Sequence, residues 1–370
     1  MKATFLLSKD PGVQSTGDLT TANLVMSLAR TSFDVGVICL SEQPHCKHGG
    51  YRRVAKPAVR PASLMFDSLR RRRSLVHTRF AFDELVEAVE QAETDIFVAI
   101  HSYMAEAVMR SQRFAGAKSA SLLAVSTEVP EAPVWRQTRP VIGLAEGRRI
   151  RRDEIRVARN AYSVAAYDRA EAEFYASLGD TRAHWLDITL PPAEQIAVAS
   201  NGPRLVFLGD RRWAPNQEAY ETILKWWPRI AKGIEGAQLY IVGAADPNAK
   251  ARPLPQGAHD LGFVDDLAGL LASCRAMVAP ITTGGGVRVK ILDAASRGLP
   301  VVGTSAAIGS LSSVLDIEVL DDESSMVERC RRYLLDRQAA AADGDMLYAK
   351  NAARWRAGKP HAAVQDWLKR

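Results

Sequence analysis

Short, unbroken apolar runs alternate with segments of helical periodicity along most of this 370-residue chain, and the series runs through twice. A strand that is apolar at every position has to be buried on both faces. That happens where crossover helices cover a parallel sheet. In the first half the runs fall at 3–7, 35–40, 96–100, 122–125 and 163–166, with helical patterns at 19–30, 82–92 and 103–113. A second series follows Pro191-Pro192 and Asn201-Gly202-Pro203, which read as a hinge, and gives runs at 205–209, 239–243, 277–281, 301–304 and 317–320. The predicted fold class is α/β, with two Rossmann-like domains over residues 1–196 and 197–345 whose parallel sheets face a cleft. Residues 346–370, carrying Trp355 and Trp367, read as further helix.

Composition removes several function classes. Hydrophobic residues are 47% and charged residues 24%, ordinary for a globular protein, so disorder and fibrous folds are excluded for the bulk of the chain. No apolar run approaches the ~20 residues that cross a bilayer. The four cysteines (Cys39, Cys46, Cys274 and Cys330) lack metal-ligand spacing, which suits a reducing cytoplasm. Net charge is +6, and residues 47–82 hold ten basic side chains against one acid, Asp67. Leu64-Met65-Phe66 and Leu69 precede Arg70–Arg73 at helical spacing. This segment suits an anionic membrane surface, and equally suits a solvated loop; no recognition module accompanies it that would indicate nucleic acid.

The segment richest in chemistry is Thr282-Thr283-Gly284-Gly285-Gly286-Val287-Arg288-Val289-Lys290-Ile291-Leu292-Asp293, between the runs at 277–281 and 301–304. It reads as strand, glycine loop, and a helix beginning near Val287. Backbone amides freed of Cβ atoms, next to a helix N-terminus, make an anion site. Arg288 and Lys290 would then lie in the first turn, where a cation opposes the helix dipole unless an anion accompanies it. The plainer alternative is a solvated turn in which Lys290 and Asp293 pair on the surface.

This segment resembles the C-terminal domain of family 4 (group 1) glycosyltransferases, and so do Leu205-Val206-Phe207-Leu208-Gly209 with Trp213-Ala214-Pro215-Asn216, Leu239-Tyr240-Ile241-Val242-Gly243, and Gly262-Phe263-Val264-Asp265-Asp266. The four stretches occur in the family's order over about residues 204–310. The resemblance implies the GT-B architecture and a nucleoside-diphosphate-sugar donor. It also implies retaining transfer, no obligatory metal, no separate cofactor, and C-terminal helices that cross back to the first domain. By position, Gly284, Gly285 and Gly286, with Thr283 before them, match the loop beside the donor diphosphate. Arg288 and Lys290 match the basic pair that neutralises the leaving group, Asp293 the acid that binds the ribose, and Phe263 with Val264 the turn that meets the base. The family commonly carries a second glutamate eight residues before the ribose acid; here that place is Gly285.

In the first domain, Gly17, before the helix at 19–30, matches a family loop that reaches the donor, or is an ordinary turn. His101 follows the run at 96–100, where ligands gather in open α/β sheets; it either bonds a sugar or acceptor hydroxyl or holds a loop carbonyl. Glu128, after the run at 122–125, is the candidate acceptor contact. The expected function is retaining sugar transfer to a hydroxyl of a glycan or lipid-linked acceptor in envelope or polysaccharide synthesis. That activity is cytoplasmic, at or near the inner membrane face. A catalytically silent sugar-nucleotide-binding homologue or partner subunit is the second expectation, and a sugar-nucleotide epimerase the third.

Overall fold

The computed structural model describes residues 1–13, 17–46, 48–114, 123–128, 131–247 and 253–369. Two compact units divide the chain. One comprises Met1–Ile188 together with Pro360–Arg370, the other Thr189–Lys359.

The first unit holds seven strands: β1 (Lys2–Leu7), β2 (Asp34–Ser41), β3 (Arg52–Ala55), β4 (Ile96–Ile100), β5 (Leu123–Thr127), β6 (Ser163–Ala166) and β7 (Ala183–Trp185). They are ordered β3-β2-β1-β4-β5-β6-β7 and every pairing is parallel. The second unit holds β8 (Arg204–Leu208), β9 (Gln238–Val242), β10 (Ala258–Gly262), β11 (Ala276–Ala279) and β12 (Val301–Gly303), ordered β10-β9-β8-β11-β12 and again all parallel. The inner strands are the unbroken apolar runs: Phe5, Leu6, Phe97, Val98, Phe207 and Ile241 are fully enclosed. Strand order reverses between β1 and β4, and again between β8 and β11. In open α/β sheets the carboxyl ends at such a reversal form the ligand crevice.

Several predicted elements change. Strands β3, β7 and β10 are absent from the expected series because each is a sheet edge. Covered on fewer sides, an edge tolerates Arg52, His184 and Asp260, which break the apolar signature. The run at 317–320 does not form a strand. Asp316 turns the chain through a left-handed conformation (φ 59°), and only Val319 bridges to Gly303. The helix expected at 103–113 is three short pieces, Ser102–Met104, Ala105–Arg110 and Gln112–Phe114.

Helix Arg337–Arg356 stays with the second unit, where Gly344 meets the Gly298 carbonyl too closely for any Cβ. Its Asn351 and Tyr348 donate to the carbonyls of Leu190 (2.9 Å) and Ala193 (3.1 Å). Helix Lys359–Leu368 then carries the chain back to the first unit. There Trp367 is fully buried and its carbonyl accepts from Ser163 Oγ at 3.0 Å. Tyr162 Oη donates to the Lys369 carbonyl.

Candidate active site

The glycine loop leaves β11 and turns at Gly286, whose φ of 76° suits a residue without Cβ. Thr283 and Gly284 are exposed, Gly285 is half-buried and Gly286 buried. The following helix is Val289–Arg297, two residues later than the sequence suggested. Arg288 is its N-cap with non-helical angles (φ −89°, ψ 60°), so Arg288 stands just outside the first turn and Lys290 within it. Gly286 sets this start, because the chain must recover from a positive φ before the helix can begin. Arg288 donates to the Gly286 carbonyl and lays its guanidinium on Gly309, where any Cβ would collide with it.

Lys290 reaches from this helix to the end of β8. Its Nζ donates to the Leu208 carbonyl at 2.6 Å and to Asn216 Oδ1 at 3.1 Å, 6.0 Å above the Phe207 ring. Burial of the ammonium pushes its pKa down to about 8. The surface pair with Asp293 therefore does not form. Asp293 instead accepts from Arg297 Nε at 3.0 Å, one turn along the same helix. Asn216 is held in turn, its Nδ2 donating to the Asp210 carbonyl at 2.9 Å. A Cβ at Gly209 would stand 2.8 Å from the Asn216 amide carbon, so glycine is required beneath it. Thr283, Gly284, Gly285, Gly286, Arg288 and Lys290 thus share one place, the β8/β11 reversal.

Phe263 and Val264 follow β10, at the far edge of the same sheet. Phe263 is 82% exposed, which removes a core role for it, and Val264 is half-buried. Asp266 caps helix Leu267–Ala272 by accepting from the Gly269 amide at 2.8 Å. Arg211 makes a two-point pair with Asp260 (2.6 and 2.8 Å), and Arg212 pairs with Asp210.

In the first unit Gly17 is itself the first residue of helix Gly17–Ala29, and Thr16 lies outside the described residues. His101 follows β4 with φ 71° and ψ 141°, a conformation that costs a non-glycine residue about 1–3 kcal/mol. The surroundings over-determine it. Its amide donates to the Ser126 carbonyl (2.9 Å), its ring stacks on Tyr103 (centroids 5.0 Å), and Tyr103 stacks on Phe80 (4.4 Å). Nε2 lies 3.8 Å from Glu128 Oε2, and Nδ1 3.8 Å from Glu131 Oε1. Glu128 is fully buried, so it meets a ligand only through His101 or after local rearrangement.

After β1, Asp10 accepts from Arg53 (2.6 Å), Ser41 (2.7 Å) and the Gly12 amide (2.9 Å). Burial alone would raise its pKa, but these donors hold it below the usual carboxylate value. Arg53 was counted in the cationic surplus at 47–82, yet its side chain is enclosed here and leaves the surface charge; Lys47 lies outside the described residues. Asn216, Gly309 and Glu131 touch candidate site residues and were not singled out from the sequence. For Asn216 a signal existed, since it ends the family-like stretch Trp213-Ala214-Pro215-Asn216. The others depend on contacts between distant segments.

Residues 202–336 match the model of the glycosyl transferases group 1 family. No curated protein matches the chain in sequence. Among solved structures, sucrose-phosphate synthase from Thermosynechococcus elongatus has a TM-score of 0.71 at 16% identity, covering 99% of this chain and 97% of its own. WaaG, a glycosyltransferase involved in lipopolysaccharide biosynthesis, has a TM-score of 0.66 at 13% identity, covering 99% of each chain. Anabaena HepE in complex with UDP and glucose has a TM-score of 0.62 at 13% identity, covering 100% of this chain and 99% of its own. The two parallel-sheet units therefore have the GT-B fold, and the unit that carries the glycine loop matches group 1 glycosyl transferases.

Proposed function

We propose that the protein is a retaining glycosyltransferase that moves a sugar from a nucleoside-diphosphate donor to a hydroxyl of a glycan or lipid-linked acceptor. The observation that carries this reading is the pair of cations at the glycine loop. Arg288 at the N-cap and Lys290 in the first turn stand beside the glycine loop at a helix N-terminus, inside the segment that matches group 1 glycosyl transferases. The donor diphosphate lies there, bound by the Gly284–Gly286 amides. Lys290 and Arg288 neutralise the charge that develops as the sugar–phosphate bond breaks. Asp293, once released from Arg297, takes the ribose hydroxyls, and exposed Phe263 with Val264 borders the base. HepE holds UDP, so UDP and its sugar conjugates are the first donors to try.

The first unit takes the acceptor. His101 is held in a strained conformation at a strand end, the placement of a group that must present a ring nitrogen to a hydroxyl. Gly17 opens a helix after the β1 loop and Glu128 backs His101. In front-face transfer the departing phosphate oxygen takes the acceptor proton, so the protein supplies position and charge stabilisation rather than a strong base. The lipid-linked acceptor is met at the cytoplasmic membrane face, with residues 47–82 toward its anionic headgroups.

Calorimetry against nucleoside diphosphates and nucleosides tests this. Arg288→Ala or Lys290→Ala should weaken diphosphate binding by about 1.5–3 kcal/mol and leave nucleoside binding nearly unchanged. Equal weakening of both ligands removes the phosphate assignment. Gly285, standing where the family carries a glutamate, favours a second reading as a silent sugar-nucleotide-binding subunit. Donor binding without hydrolysis or transfer to any acceptor would support that one.

A further inference from the structure

Helix Pro61–Arg71 packs inside out. Met65, Phe66 and Leu69 share its outer face, with Phe66 67% exposed. Ser68 and Arg71 turn inward and donate to the carbonyls of Arg73 and Ala81. Helix Pro140–Asn160 shows the same inversion in its first turns. Gly143 and Gly147 form the face against helix Glu131–Thr138, with Gly143 too close to the Trp135 carbonyl for any Cβ. Val141, 88% exposed, and Leu144 face away from that contact, in line with Arg148 and Arg152 at intervals of three and four residues.

The two helices meet. Arg152 donates to the Arg72 carbonyl at the end of the first helix, and Arg149 donates to the carbonyl and hydroxyl of Ser68. Exposed Arg60, Arg70, Arg72, Arg148 and Arg152 surround the apolar residues, and Asp67 is the acid on the first helix. We propose that helices Pro61–Arg71 and Pro140–Asn160 form one docking surface for an anionic phospholipid bilayer. It rests on the membrane contact proposed for residues 47–82 and adds a second helix that the sequence did not single out. Apolar side chains enter the headgroup–acyl boundary while the arginines meet phosphates at its edge. Met65, Leu69, Val141 and Leu144 offer no stacking face and outnumber the one aromatic, Phe66, in the basic patch, which favours lipid over nucleic acid, whose bases call for stacking platforms. Two anchoring helices also fix the unit's rotation on the surface, which one helix leaves free.

The full chain is floated with vesicles of phosphatidylcholine alone or mixed with phosphatidylglycerol, at low and high salt. Wild type should partition onto the mixed vesicles and lose about tenfold without the anionic lipid or in high salt. The pairs Phe66→Ser/Leu69→Ser and Val141→Ser/Leu144→Ser should each lower partitioning about tenfold, with melting temperature and nucleoside-diphosphate binding unchanged. If the second pair binds like wild type while the first does not, the two-helix surface is wrong and the 47–82 contact stands. If neither pair matters, the association is charge alone and the proposal fails. Wild type that ignores both vesicles but is retained by single-stranded DNA overturns the lipid assignment in favour of nucleic acid. Diphosphate binding, read in the same preparations, separates each of these outcomes from failure of the glycosyltransferase reading.

Discussion

At the scale of single residues, the proposed donor site makes Lys290 the group whose protonation should govern diphosphate binding. With its pKa pushed down to about 8 by burial, it is charged at neutral pH and loses its proton just above. Diphosphate affinity should therefore be flat below about pH 7.5. It should then fall by up to about tenfold per unit as the free ammonium deprotonates. Calorimetry between pH 6.5 and 9.5 reads this directly. Asn216→Asp places a carboxylate at the position that now accepts from Nζ, so the break should move to higher pH. A break unmoved by that change would separate Asn216 from the site. His101 gives a second residue-scale test. At φ 71° glycine carries no penalty, so His101→Gly should be more stable than His101→Ala by about 1–3 kcal/mol in thermal unfolding. Both should lose transfer. The loop glycines and the two cations were legible in the sequence because they are contiguous. What Lys290 touches was not, because Leu208 and Asn216 lie more than seventy residues away.

At the scale of elements, helix Pro140–Asn160 and helix Arg169–Ala176 enclose two carboxyls, Glu154 and Glu171, and burial pushes each up to about 7 from an ordinary 4.5. Their protonated forms favour the folded state. That contribution is full below pH 4.5 and is lost as pH rises through 7. His77 runs the other way. Fully buried beside Ser74 and Asp153, it is pushed down to about 3 from 6.5, so its contribution is full above 6.5 and is lost as pH falls toward 3. Between pH 6.5 and 8 the glutamate contribution is being lost while that of His77 stays full, so the melting temperature of the first unit should fall. Glu154→Gln and Glu171→Gln should flatten that slope. At pH 8 each should raise the melting temperature by about 2–4 °C per kcal/mol recovered. A calorimetric scan series resolves the difference. Elements also mark the limit of what periodicity conveys. The inner strands announce themselves because both faces are covered, as at Phe97-Val98 and Phe207. Edge strands such as Arg52–Ala55 carry the composition of loops, and only their hydrogen-bonding neighbours make them strands.

At the scale of the whole molecule, the first unit is discontinuous. It takes in Met1–Ile188 and is completed by Pro360–Arg370, whose Trp367 is fully enclosed. Trp367→Ala should cost the first unit about 3–5 kcal/mol, because a large buried ring leaves a cavity that surrounding strands fill poorly. Hydrogen exchange would localise the damage. Protection should drop in β5, β6 and β7 and persist in β8 to β12; equal loss in both sheets would mean that the last helix supports the two units alike. This closure has a consequence in time. During synthesis at roughly 5–20 residues per second, the residues made first wait about ten to thirty seconds while Thr189–Lys359 is translated, before their last structural segment exists. The half begun earliest is the last that can be finished, and meanwhile the place of Trp367 beside Ser163 stays open to water and to other chains.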